Sequence, residues 1–167
     1  MSRCFVAALA LSVLTASGSH ALDADRYKEI VAQTISGLGD ETVDVAMLKS
    51  FQEELIAIGI GGARDFAVSS PDDAALMTFV ADSAPAMTVM SLDDIEMAWH
   101  DGEALSEIGV SVDDLDHFGK QISYMDAIIH PATALIALRE YEATGDRSYL
   151  LQVQDELAEV VEHISHL

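Results

Sequence analysis

Five histidines each follow a carboxylate by four residues: His100 after Glu96, His117 after Asp113, His130 after Asp126, His163 after Glu159 and His166 after Glu162. Four residues is about one turn of α-helix, so each pair would share a helical face. Imidazole beside carboxylate supports two kinds of chemistry. With the imidazole neutral, the pair is a ligand set suited to Zn(II), Cu(II) or Ni(II). With it protonated, the pair is an acid-to-base contact that steadies a helix by about 0.2–0.5 kcal/mol and raises the proton affinity of the ring, which makes it responsive to pH.

The densest group lies at the C-terminal end, where Glu159, His163 and His166 stand at i, i+4 and i+7 and Glu162 precedes His166 by one turn. They flank the apolar stripe Leu150, Val153, Leu157, Val160, Ile164 and Leu167, so the spacing predicts an accessible flank. Glu159, Glu162, His163 and His166 are therefore the candidate metal ligands. The alternative is electrostatic, since histidines near a helix C-terminus also interact favourably with its dipole. A second group joins Met87, Met90, Met97, Trp99 and His100. Thioether with imidazole is a soft donor pair suited to Cu(I), whereas methionines are also common core fillers. A third reading makes this segment an exposed apolar docking surface.

Other chemistries lack their residues. The only cysteine is Cys4, and neither a Gly-x-Ser-x-Gly elbow nor a His-Glu-x-x-His motif occurs. Gly59, Gly61 and Gly62 follow a helical pattern rather than a strand and lack a following Lys-Ser/Thr, which argues against a phosphate loop. No Asp-x-Asp-x-Asp-Gly run offers a calcium loop. An enzyme would need a constellation assembled only in three dimensions, so the reading leans away from catalysis.

The elements that must position these residues read as helices almost throughout. Tyr27, Ile30, Val31, Thr34 and Ile35 form one stripe ending at Gly37 and Gly39; Val43, Met47, Phe51, Leu55 and Ile58 form another, expected to end in the glycine cluster. Arg64 to Ser69 reads as a short extended piece. Ser70-Pro71-Asp72-Asp73, Ser91-Leu92-Asp93-Asp94 and Ser111-Val112-Asp113-Asp114 share a signature of serine N-cap and acidic first turn. Leu115, Phe118, Ile122, Met125 and Ile129 keep helical spacing up to Pro131, which must kink that helix or begin the next. A turn at Thr144-Gly145-Asp146 then leads into the last stripe, predicting an antiparallel hairpin. The expected fold is an all-α single-domain bundle of five to seven helices ending in a helical hairpin.

Residues 1–21 read as a cleaved secretory signal: Arg3, an apolar run from Cys4 to Leu14, and a small-x-small site at Ser19-His20-Ala21. That run is too short to span a bilayer, and no later stretch approaches the roughly 20 apolar residues a span requires. The chain carries 8 Lys and Arg against 29 Asp and Glu; one of the 8 is Arg3, so residues 22–167 carry 7 against 29, a net of −22. Such acidity excludes nucleic acid and anionic lipid as partners, since both demand a basic face. Half the residues are apolar, so the acidic chain should still fold. The sequence thus describes a periplasmic or secreted helical module that binds a protein or a small ligand, its acidity suiting a cationic one. The alternative is a metal-binding protein that uses the Glu/His pairs of its last helix with Zn, Cu or Ni.

Overall fold

The computed structural model describes residues 22–167; the expected signal segment lies outside them. Seven α-helices form a bundle, and no strand occurs among the described residues. They are α1 (Ala24–Leu38), α2 (Val45–Ser69), α3 (Ala74–Met87), α4 (Leu92–Ile95), α5 (Glu103–Ser106), α6 (Lys120–Thr144) and α7 (Ser148–Ile164). A single π-turn, Glu96–His100, continues α4, and a 3-10 turn, Val112–Asp114, lies between α5 and α6. No described helix is long and apolar enough to cross a membrane.

Helix α6 is the axis of the bundle and packs against α7, α2 and α3. It is apolar nearly all round: from Ile122 to Leu138 every residue but Asp126 is buried. A helix with that pattern must be enclosed by others. Gly145, at a φ of 73°, takes the left-handed conformation that ends α6, and α7 returns antiparallel as the expected hairpin.

Pro131 neither breaks α6 nor starts a new helix. Lacking an N–H, it cannot donate to the carbonyl of Ala127 four residues before it. The hydroxyl of Tyr27, itself fully buried, donates to that oxygen instead, at 3.2 Å. The same carbonyl explains why α2 runs past its glycines. A Cβ on Gly59 would lie 2.3 Å from the Ala127 oxygen, so glycine here permits close approach of α2 to α6. The expected end of the helix at Gly59–Gly62 and the extended piece at 64–69 are therefore corrected: both lie inside α2, where packing against α6 outweighs the low helix propensity of glycine.

The three serine signatures resolve differently. Ser91 caps α4, accepting from the N–H of Asp94 at 3.1 Å. Ser70 donates to the Asp73 carboxylate and α3 begins only at Ala74, without a side-chain cap. Ser111 precedes only the 3-10 turn. Aspartates not singled out by the sequence cap the first two helices: Asp23 accepts from Arg26 N–H at 3.1 Å and Asp44 from Met47 N–H at 3.0 Å.

Candidate metal centre

Apart from Thr34 and Gln52, which bond to each other between α1 and α2, the polar residues inside the bundle gather along the α6–α7 seam. On α6, Asp126, His130 and Thr133 follow one another at about one-turn intervals through otherwise apolar sequence. On α7, Glu156, Glu159 and His163 fall on the side facing them, because 156 and 163 are about two turns apart. The antiparallel hairpin sets Glu156 opposite His130 and His163 opposite Asp126. The third contributor is the π-turn, in which Asp101 N–H donates to the Glu96 carbonyl at 2.9 Å. Its wider turn brings His100 round to the side of Ile95, against α6.

The hydrogen bonds of these histidine rings are tertiary, and Asp126–His130 is a looser contact within α6. His130 Nδ1 lies 2.8 Å from Glu156 Oε2, and its Nε2 faces Asp126 Oδ1 at 3.9 Å. Asp126 Oδ2 accepts a hydrogen bond from His163 Nδ1. His100 Nε2 is 3.0 Å from Thr133 Oγ1 and 4.0 Å from Glu156 Oε2. Thr133 spends its own proton on the Ile129 carbonyl, so its oxygen accepts from His100 Nε2–H. A cavity of about 180 Å³ opens onto this level, lined by His100, His117, Asp126, His130, Glu159 and His163 together with apolar side chains. The imidazoles crowd edge to face, His100 on His130 at 5.1 Å and His117 on His163 at 4.8 Å between centroids.

Burial sharpens the electrostatics. His130 is 4% exposed and His163 8%, while the carboxylates of Asp126 and Glu156 keep 13% and 12% of their side-chain surface. Burial alone would push the His130 pKa down, but the hydrogen bond to Glu156 and the charges of Asp126, Glu156 and Glu159 leave it raised. His163 is raised by its bond to Asp126, against a smaller opposing effect of burial.

Two groups of donors satisfy the reach of a single ion: His100, His130 and Glu156, and Asp126, His130 and His163, with one ligand atom from each residue and all atoms of a group within 4.8 Å of one another. Imidazole and carboxylate oxygen suit Zn(II), Cu(II) and Ni(II).

Of the ligands expected on the last helix, His163 is inside this cluster and Glu159 lines its cavity from an otherwise exposed position. Glu162 and His166 are exposed on the outer side, and the His166 ring packs on Phe118 at 4.8 Å. The four are not brought together. Of the methionine group, Met87 is fully buried and Trp99 is 4% exposed, Met90 is partly buried, and Met97 is 46% exposed. Of that group, His100 reaches the cluster and Trp99 lines its cavity. Among the five carboxylate–histidine pairs, Asp126–His130 alone comes within 4.0 Å. Glu156, which precedes no histidine by one turn, had no local signal. Its trace in the sequence is joint: polar residues at 126, 130 and 133, set in the otherwise apolar middle of α6, require polar partners on whatever packs there.

No protein-family model, curated protein or solved structure matches this chain.

Proposed function

We propose that this protein binds a divalent transition metal inside its helical bundle, at the level where α6, α7 and the π-turn meet, and that it does so as an exported binding protein. The observation that carries this reading is the convergence of five donors from three separate segments: His100, Asp126, His130 and His163 line one small cavity, and Glu156 bonds to His130 beside it. Burying that many ionisable groups is costly unless they are paired or coordinate an ion. An imidazole and carboxylate set without thiolate favours Zn(II), Cu(II) or Ni(II). The acidic surface, with its net charge of −21, raises the local concentration of any cation that approaches.

Calorimetric titration of the purified protein with each of the three metals tests the proposal. Micromolar or tighter binding is expected, lost in a His130→Ala, His163→Ala double variant and kept in a Glu162→Ala, His166→Ala double variant. Equal weak binding by all three proteins would mean that the acidic surface alone holds the metal, and would overturn the assignment. Circular dichroism of each variant shows whether its helices are intact.

A further inference from the structure

We propose that the centre is binuclear, with His130 bridging two metal ions through its two ring nitrogens. The proposal rests on the metal-binding reading above and adds stoichiometry and the role of one residue. The two donor groups share His130 and no other residue. They use opposite edges of its ring: Glu156, with His100 beyond it, lies at Nδ1, and Asp126, with His163 beyond it, lies at Nε2. The lone pairs of the two nitrogens diverge in the ring plane, so one ion can take only one of them and leaves the other group empty. Two ions use both.

Charge points the same way. Two dications bring +4; an imidazolate with Asp126 and Glu156 offsets three of these charges inside the bundle, and Glu159, which lines the cavity from an exposed position, offsets the fourth, so little net charge is left buried. The proton balance is simple. A neutral His130 ring binds the first ion through its free nitrogen; on arrival of the second, the remaining N–H proton leaves to solvent and that nitrogen becomes the second donor. The cavity beside the ring leaves room for Glu159 and His117, which line it, to complete the coordination. An imidazolate bridge also holds the ions further apart than the roughly 3.5–4 Å of compact two-metal sites.

Copper(II) loading followed by electron paramagnetic resonance tests this on the intact protein. The expected result is two tightly held copper ions per chain with near-complete loss of the integrated signal at liquid-helium temperature, because an imidazolate couples the two spins antiferromagnetically. Replacing part of the copper by zinc should restore the signal per copper ion, and His130→Gln should abolish the coupling. The zinc measurement decides the matter even where that variant fails to fold. One tight copper per chain, or two with the full signal of isolated ions, would overturn the bridge while leaving metal binding in place. Absence of any tight copper or zinc would overturn both.

Discussion

Asp126 accepts a hydrogen bond from Nδ1 of His163 across the seam between α6 and α7. The same carboxylate has its other oxygen 3.9 Å from Nε2 of His130, so one aspartate bonds to one imidazole and places its charge beside a second, on another helix. Asp126→Asn keeps the shape and removes the charge. We expect the His163 pKa to fall, since its bond to Asp126 is the largest cause of the upward shift, and metal affinity to drop by at least about 10- to 100-fold, the usual loss when a partner of a ligating histidine is removed. Proton NMR titration of the ring resonances and competition with a chromophoric chelator measure the two effects. An unchanged His163 titration would show that this contact does not persist in solution.

The raised His130 and His163 values fix how the metal-free protein responds to pH. A group that binds its proton more tightly folded than unfolded stabilises the fold fully below its unfolded pKa, about 6.5 for histidine, and loses that contribution as pH rises through the folded value. Urea midpoints measured in chelator should therefore decline from near pH 6 toward alkaline pH. Metal reverses the slope, because the same nitrogens must give up protons to bind it. With saturating zinc, the midpoint should rise over the same range. Parallel curves with and without zinc would contradict the site.

Tyr27 and Gly59 serve one carbonyl, that of Ala127, which Pro131 leaves without its helical donor. Tyr27→Phe should cost about 1–3 kcal/mol, the penalty of an unsatisfied buried acceptor. Gly59→Ala should cost about 1–3 kcal/mol through overpacking against backbone that cannot retreat. Gly61 is exposed and a Cβ there meets nothing within 4 Å, so Gly61→Ala should instead stabilise by roughly 0.5–1 kcal/mol. Denaturant unfolding of the three variants checks both signs.

These residues also show what the sequence could tell. Helical stripes and the Thr144-Gly145-Asp146 turn specify the hairpin because they are local, with periods of one turn and one reversal. The end of α2 is not legible in the sequence because glycine is a local signal for termination, while the demand that Gly59 answers comes from Ala127, far along the chain. The cluster is similarly divided. Histidine and carboxylate spacing marked His100, His130 and His163 as noteworthy but paired them along their own helices. The contacts that form run between helices, Asp126 to His163 and Glu156 to His130, and only the packing of α7 on α6 determines them.

The tautomer of His100 gives the last prediction. Because Thr133 donates to the Ile129 carbonyl, it holds the Nε2–H of His100, the atom that faces Glu156 and would have to coordinate the ion. Metal binding at that position must break this hydrogen bond, whose net worth is about 0.5–1.5 kcal/mol. Thr133→Val removes the competitor at nearly constant volume and leaves the metal-free ring unsatisfied, so both effects favour the bound state. Zinc affinity is expected to rise by roughly 2- to 12-fold, while the metal-free protein becomes less stable by about 1 kcal/mol. Calorimetry and chemical unfolding in chelator read the two quantities separately. Weaker zinc binding by Thr133→Val would show that His100 coordinates through another atom or stays outside the centre.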